Sequence, residues 1–263
     1  MVKDLKMNSM DYLNVAVIAQ ETALQMIKRL EGINLKPARI LEVGAARGLG
    51  ESLLRERYPN AVYLSMDTHD SLLQHTKPNN ESIHRIEGDS ETLPFASASI
   101  DFIFANLVLP WVTDYQKIFK EWRRVLSRDG LILFSCLGPD TLREWHDFLA
   151  NDFLPELIDM HDVGDALVKA KFSDPVMDVD YVTLTYRDIQ KLFYELQMTK
   201  MISVNDYQPL YAQAEVKMKS SDVYSTAYEI IYGHAWGPNA EVDYVADESG
   251  VVKIPLSHLR RRK

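Results

Sequence analysis

Cysteine is almost absent from this sequence, because Cys136 is the single one among 263 residues. One cysteine excludes an internal disulfide framework and is typical of a reducing compartment, so we expect a cytoplasmic protein. No apolar run is long enough to cross a bilayer as a helix, so we expect no membrane association. The chain does not open with a basic segment followed by an apolar one, so we also expect no signal peptide.

Positive charge is in deficit, with 29 Lys and Arg against 38 Asp and Glu and a net charge of −9. This balance argues against general nucleic-acid binding, which depends on neutralising phosphates. The basic residues 260–263 are an exception that we interpret as a solvated end. With 46% hydrophobic and 25% charged residues, the composition is that of a globular domain with a large core.

Apolar runs alternate with helical patterns through the middle of the chain. This alternation predicts an α/β fold with a doubly wound, mostly parallel sheet. The predicted strands are residues 39–43, 62–66, 83–86, 100–105 and 131–136, and the predicted helices are 50–57, 69–77 and 115–126, the last one ended by residues 128–130.

The flanking segments complete a single predicted domain over residues 1–238. A helix over about 11–31 lies in a helical N-terminal cover, residues 1–36, and a lid is predicted over about 140–170. We expect residues 239–263 to form an extended or disordered tail. The remaining predicted elements are helices at 140–150, 163–171 and 189–197, strands at 177–185 and 225–235, and helix plus loop over 199–222.

A glycine-rich turn follows the first predicted strand and leads into a helix. Glu42, Gly44, Ala46 and Gly48 give the spacing Glu-x-Gly-x-Ala-x-Gly. Neither the dinucleotide fingerprint nor the phosphate-binding loop has this spacing. It resembles motif I of class I S-adenosylmethionine methyltransferases, in which glycine lets a ligand approach bare backbone. Ala46 stands where that motif has its middle glycine.

Polar side chains also follow the next three strands, where a parallel sheet presents its ligand crevice. We expect Asp67 to accept the ribose hydroxyls, and Asp89 with Ser90 to contact an adenine ring. Glu42 holds either the backbone of the turn or the ammonium group of the ligand. Asn106 ends the fourth strand, where the methyl acceptor would approach. With Gly44 and Gly48 these residues form the predicted cofactor site.

Further motifs resemble the malonyl-acyl-carrier-protein O-methyltransferases of biotin synthesis. The resemblance implies a Rossmann-like, seven-stranded sheet and S-adenosyl-L-methionine as the methyl donor. It also implies that the free carboxylate of a malonyl thioester on acyl carrier protein becomes a methyl ester. The motifs are Gly88–Phe95, Ser99–Ile103, Asn106–Trp111, Leu137–Glu144, His161–Leu167, Asp174–Asp178 and Tyr228–Pro238.

The implied reaction needs little from catalytic side chains. A carboxylate is ionised at neutral pH, so the enzyme must desolvate and align it without a general base. No metal is expected, because His161, His234 and Cys136 lack ligand spacing. Arg143 on the predicted lid is a candidate partner for the substrate carboxylate, or else a surface arginine, and Tyr12 is a candidate gate over the site.

Acyl carrier proteins are acidic, so a basic patch is expected to receive one. Lys117, Lys120, Arg123 and Arg124 form such a patch on the helix over 115–126, or else a solvated helix face.

The departure at Ala46 predicts weaker donor binding than an intact glycine turn would give. Two other functions stay open. One is that of an arginine-hydroxylating complex I assembly factor, whose C-terminal region is similar and which needs a site for an oxidant. The other is that of a partner-binding relative that has lost its donor, against which Glu42, Asp67 and Asp89 argue.

Overall fold

The computed structural model describes residues 16–46, 48–68, 83–112, 114–146, 157–199, 201, 214 and 222–237. The predicted helix at 69–77, most of the segment 199–222 and the tail 239–263 therefore lie outside the described residues. The helices are α1 (Val17–Arg29), α2 (Leu49–Arg57), α3 (Tyr115–Val125), α4 (Met160–Lys169) and α5 (Ile189–Met198). The strands are β1 (Arg39–Val43), β2 (Val62–Asp67), β3 (Ile83–Glu87), β4 (Ile100–Asn106), β5 (Leu126–Leu137), β6 (Ser173–Tyr186) and β7 (Tyr224–Trp236).

The seven strands form one sheet in the order β3-β2-β1-β4-β5-β7-β6. The first five strands in that order are mutually parallel, and β7 runs antiparallel between β5 and β6. Leu41 in β1 lies opposite Leu64 in β2 and Ile103 in β4, which fixes the register at the centre. The predicted seven-stranded, mostly parallel sheet is confirmed.

Helices cover both faces of the sheet, and the strand residues alternate between two cores. Ile40 and Phe102 pack with α1, α2 and α5 on one face. Leu41 and Ile103 pack with α3 and α4 on the other face. This period of two is that of strands buried on both sides, so the doubly wound arrangement is confirmed. None of the helices in the described ranges has the length and apolar character of a bilayer crossing.

The end of α3 differs from the prediction. The helix stops at Val125, and Leu126 is already extended, with ψ of 132°, and pairs with Ile100. Residues 128–130 therefore do not terminate a helix, because β5 begins directly at Leu126. Gly130 serves strand packing instead, since a Cβ there would lie 2.9 Å from the Asp101 carbonyl oxygen. Pairing with a neighbouring strand overrides the local signal of a glycine C-cap.

The segment after β5 also differs, because a turn replaces the start of the predicted helix at 140–150. Leu142 has a φ of +56° and leads into a 3₁₀ helix, Arg143–Trp145. Trp145 anchors this turn, since it is buried and its Nε1 donates to the Ser225 carbonyl oxygen at 3.0 Å. Helix α4 packs against β6 and α3. Residues 147–156 lie outside the described residues, so the lid stays a prediction.

Two glycine substitutions test how tightly the sheet is packed. Gly233 in β7 lies opposite Phe134, and a Cβ there would overlap the Phe134 ring. That ring is held by Phe119 at a centroid distance of 5.5 Å. We expect Gly233→Ala to lower the free energy of unfolding by about 1–3 kcal/mol, measured by urea denaturation.

Gly164→Ala is the matched control. Gly164 lies inside α4, and the nearest heavy atom to an added Cβ is 3.8 Å away. Helix propensity should then raise the free energy of unfolding by up to about 1 kcal/mol. Equal effects of the two substitutions would contradict the packing described for β7.

Candidate functional site

A cavity of about 500 Å³ opens over the carboxyl ends of the parallel strands. Val43, Met66 and Asn106 contribute its floor from the ends of β1, β2 and β4. Ile18 from α1 and Met198 from α5 contribute an opposite wall. The cavity therefore lies in the crevice where α/β sheets bind their ligands, between the sheet edge and two helices of one face.

The glycine-rich turn forms one side of the cavity in a left-handed conformation. Gly44 has a φ of +66°, and a Cβ there would lie 2.5 Å from Val108 Cγ2. Gly48 has a φ of +72° and precedes α2. Ala46 has a φ of +41°, a conformation that costs an L-residue about 1–2 kcal/mol. Arg47 lies outside the described residues.

Glu42 lies at the end of β1 and stabilises this turn through hydrogen bonds. Its carboxylate is buried, with Oε1 accepting from the Gly50 N–H at 2.9 Å and Oε2 accepting from the Tyr63 hydroxyl. A Cβ on Gly50 would lie 2.5 Å from Oε1, so only glycine leaves room for this contact. Both carboxylate oxygens thus have partners within the protein, which supports the first of the two predicted roles, holding the backbone.

Burial changes the protonation of this pair. Desolvation raises the pKa of Glu42 to about 7, against the opposing effect of the hydrogen bonds from Tyr63 and Gly50. Burial also raises the pKa of Tyr63, with a further contribution from the Glu42 charge. Tyr63 therefore stays the donor, and the Glu42 carboxyl changes its charge near neutral pH.

Asp67 ends β2, and its side chain lines the cavity while nearly buried. Its Oδ2 accepts from the Ala46 N–H at 2.9 Å. The neighbouring Ala45 N–H donates to the Met66 carbonyl oxygen at 2.9 Å. The end of β2 therefore fixes the conformation of the turn, and it presents a carboxylate to the cavity beside it.

Asp89 and Ser90 follow β3 and also line the cavity. Asp89 Oδ1 accepts from the Glu91 N–H at 2.9 Å, and the Asp89 carbonyl oxygen accepts from Thr92 N–H at 3.1 Å. These two bonds form a tight turn that keeps the Asp89 side chain at the rim of the cavity.

Asn106 ends β4 and joins three elements at the cavity wall. Its Nδ2 donates to the Ala19 carbonyl oxygen in α1 at 2.8 Å. Its Oδ1 accepts from the Ser135 hydroxyl in β5 at 2.8 Å. The amide therefore attaches α1 to the sheet. Because α1 lines the cavity, these bonds also hold that wall of the cavity in place.

Arg143 is the candidate substrate residue that falls within the described part of the chain. Tyr12 lies outside the described residues. The Arg143 side chain is 62% exposed and lies 3.8 Å from Asp140, and the residue is not part of the cavity lining. The left-handed turn at Leu142 and the anchoring of Trp145 accompany this exposed position, and the role of Arg143 toward the substrate stays a prediction.

Three residues that the sequence analysis missed form a polar cluster at the cavity wall. Glu195 of α5 and Tyr228 of β7 line the cavity, and the Tyr186 hydroxyl donates to Glu195 Oε2 at 2.6 Å. The backbone N–H of Val17 also donates to the Glu195 carboxylate. Desolvation raises the pKa of Glu195 and of both tyrosines. The available signal was a glutamate on the apolar face of a helix, between Phe193 and Leu196.

The predicted basic patch on α3 is partly neutralised. Lys117 lies 3.0 Å from Glu91, and Arg124 lies 2.7 Å from Glu121. Arg124 also donates to two backbone carbonyl oxygens, so it ties α3 to the loop after β3. Two of the four basic residues are therefore paired with acids within the protein, and the choice between a docking patch and a solvated face stays a prediction.

Among the residues in the described ranges, no His, Cys, Asp or Glu cluster is arranged to hold a metal ion. Cys136 is buried as a free thiol in the core, and its pKa is raised by desolvation.

The sequence is similar to known methyltransferases over most of its length. Residues 41–134 match the family described as "Methyltransferase domain". A malonyl-[acyl-carrier protein] O-methyltransferase of Gallionella capsiferriformans is 35% identical over 90% of this chain and 89% of its own. One from Coxiella burnetii is 30% identical over 95% of this chain and 92% of its own.

Solved structures share the fold. A putative methyltransferase from Bacillus halodurans superposes with a TM-score of 0.61 at 15% identity, over 82% of this chain and all of that one. Phosphoethanolamine N-methyltransferase 2 of Haemonchus contortus, in complex with S-adenosyl-L-methionine, gives a TM-score of 0.54 at 18% identity, over 83% of this chain and 53% of that one.

The buried Glu42 carboxyl predicts a pH dependence of stability. Because its pKa is raised to about 7 in the folded protein, the folded state binds more protons than the unfolded state between the ordinary glutamate pKa and about pH 7. Its contribution to stability is present below the ordinary glutamate pKa and is lost as pH rises through about 7. We expect the free energy of unfolding to fall by up to about 3 kcal/mol between pH 5 and pH 8 from this group.

Glu42→Gln should remove this part of the pH dependence, measured as the difference between urea unfolding at pH 5 and at pH 8. Glu121→Gln is the control, because Arg124 lowers the pKa of Glu121 and that carboxylate stays ionised throughout this range. An unaltered pH difference in Glu42→Gln would show that another group titrates.

Proposed function

Because the chain belongs to the malonyl-[acyl-carrier protein] O-methyltransferase family, we propose that it methylates the free carboxylate of a malonyl thioester on acyl carrier protein, in biotin synthesis. S-adenosyl-L-methionine is its methyl donor. The observation that carries the proposal is similarity over about nine tenths of the chain, well beyond residues 41–134, which match the methyltransferase domain.

The cavity fits the donor on its own geometry. Gly44 presents bare backbone to it, in a place where a Cβ would meet Val108. Asp67 at the end of β2 would accept the ribose hydroxyls, and Asp89 with Ser90 would contact the adenine ring. When bound, the donor supplies an electrophilic methyl group on a positively charged sulfur.

Glu42 and Asn106 contribute to donor binding indirectly. The Glu42 carboxylate fixes the start of α2, and the Asn106 amide fixes α1, each through two hydrogen bonds within the protein. We assign both residues to positioning the cavity walls, in place of the direct contacts that the strand-end pattern suggested.

The acceptor chemistry requires no proton transfer. An acceptor carboxylate oxygen forms the new bond to the methyl carbon, the sulfur–methyl bond breaks, and its electron pair remains on sulfur. A negative and a positive charge are lost together, leaving an ester and a thioether. The chain must therefore exclude water and align the carboxylate, for which Trp111, Leu137 and Met198 provide apolar cavity wall.

Donor binding and methyl transfer test the proposal together. We expect calorimetry to show micromolar binding of S-adenosyl-L-methionine and S-adenosylhomocysteine, and mass spectrometry to show methylated malonyl carrier protein. Asp67→Ala should abolish the binding of both ligands, because a carboxylate that accepts two hydroxyls is lost.

Glu87→Gln is the control, because Glu87 ends β3 opposite Asp67 in register but does not line the cavity. Binding without any methylation of the malonyl carrier protein would keep the donor site and exclude the proposed acceptor. Failure of both ligands to bind would exclude methyl transfer.

The left-handed Ala46 predicts a second result. Ala46→Gly removes a methyl group from the cavity wall and from a φ of +41°. We expect the donor to bind a few-fold more tightly, about fivefold for each 1 kcal/mol of relieved contact. The free energy of unfolding should change by less than about 1 kcal/mol, because relief of strain is offset by the greater chain entropy of unfolded glycine.

Ala98→Gly separates the two effects. Ala98 is also left-handed, with a φ of +54°, but it does not line the cavity. Its substitution should leave donor affinity unchanged. Equal donor affinity for wild type and Ala46→Gly would show that the alanine methyl does not restrict the donor.

A further inference from the structure

All charged side chains in the described part of the cavity wall are acidic. Five carboxylic acids and no lysine, arginine or histidine are among those lining residues. The predicted cationic partner, Arg143, lies outside the cavity. Among the described lining residues, the groups that can hold an acceptor carboxylate are uncharged hydrogen-bond donors. The acids are Glu42, Asp67, Asp89, Glu91 and Glu195.

One wall of the cavity is far from the predicted donor contacts. It is formed by the end of β5 and by β7 and α5, through Leu137, Tyr228 and Met198. The glycine turn, Asp67 and Asp89 lie at the ends of β1, β2 and β3, on the other side of β4 in the sheet order. We call the first wall the acceptor wall, because the donor residues occupy the opposite end.

Glu195 and Tyr228 bring polar groups to the acceptor wall, and they differ in what they offer. The Glu195 carboxylate accepts from Tyr186 and from the Val17 N–H, and as an anion it repels a second carboxylate. Tyr228 carries a phenol whose pKa is raised by burial, so the phenol keeps its hydrogen at neutral pH. The hydroxyl that suits an anionic acceptor is therefore that of Tyr228.

Tyr186 determines what the Tyr228 hydrogen can do. The Tyr186 hydroxyl donates to Glu195 Oε2 at 2.6 Å. The side-chain contacts of Tyr228 with Tyr186 and Thr226 both act to lower the pKa of Tyr228, so they stabilise its oxygen and do not use its hydrogen. A carboxylate accepts a hydrogen bond more strongly than a neutral phenol oxygen does, so an acceptor carboxylate competes well for this hydrogen.

We propose that the Tyr228 hydroxyl donates a hydrogen bond to the acceptor carboxylate and orients it for methylation. Glu195 is a positioning residue that acts through Tyr186. The role rests on the proposed function, since it presumes an acceptor that carries a free carboxylate. It gives β7, the reversed strand of the sheet, a direct part in acceptor recognition.

The test compares two carrier proteins that differ by one carboxylate. Malonyl and acetyl carrier protein are titrated into the full-length chain saturated with S-adenosylhomocysteine, so that binding is measured without turnover. We expect wild type to prefer the malonyl form by about 10-fold to 100-fold, the range for a hydrogen bond to a charged group. Tyr228→Phe should lose most of this preference while its S-adenosylhomocysteine affinity stays unchanged.

Tyr232→Phe is the matched control. Tyr232 lies four residues further along β7, is buried on the same face of the sheet and does not line the cavity. It should keep the malonyl preference. Glu195→Gln should lose part of the preference, because an amide holds the Tyr186 hydrogen less firmly than a carboxylate does. The melting temperature of each variant separates these effects from loss of folding.

The outcomes separate this role from the proposed function. If wild type prefers malonyl carrier protein and Tyr228→Phe keeps that preference, the role of Tyr228 is wrong and the function stands. If wild type shows neither the preference nor methyl transfer, both are wrong. A lower melting temperature in Tyr228→Phe with an intact preference would identify a purely structural tyrosine and would also overturn the proposal.

Discussion

The buried carboxyl of Glu42 is the contact on which the architecture of the site depends. It joins β1 to β2 through Tyr63 and to α2 through the Gly50 N–H. A carboxyl taken out of water is costly unless its oxygens are hydrogen-bonded, so the position of α2 is bound to that of the sheet. The turn between β1 and α2 must therefore span a short distance, and the left-handed conformations of Gly44, Ala46 and Gly48 allow this.

Local sequence patterns are sufficient to predict one part of the site. Apolar runs define the parallel strands, and the rule that ligands bind at carboxyl ends then identifies Glu42, Asp67, Asp89 and Asn106 as cavity residues. Local patterns do not distinguish between holding the turn and touching a ligand at Glu42, since this depends on Tyr63, 21 residues away. They also do not predict where the Arg143 side chain lies, because the left-handed turn at Leu142 and the anchoring of Trp145 come from contacts with β7 and α5.

The acceptor wall is the part of the site that local sequence patterns do not predict. Tyr228 reaches the cavity because β7 is inserted antiparallel between β5 and β6, a placement set by packing across the whole sheet. Ala16, at the start of α1, has no side chain that could cap this helix. Glu195, in a helix nearly 180 residues later in the sequence, stabilises the start of α1 in its place. Such contacts couple the wall over the donor to the wall over the acceptor, and no local pattern encodes them.

The charge of the cavity agrees with the proposed chemistry. A positively charged donor is favoured by the surrounding acids, and a negatively charged acceptor is favoured only once that donor is present. The two charges cancel as the ester forms, so the transition state carries less charge than the reactants. An apolar wall therefore destabilises the transition state less than it destabilises the charged reactants. A cationic side chain beside the acceptor would hold the carboxylate in its charged form and oppose this step, whereas a phenol orients it without neutralising it. The described part of the cavity, with acids around the donor end and a tyrosine at the acceptor wall, is therefore suited to the proposed methylation of a carboxylate.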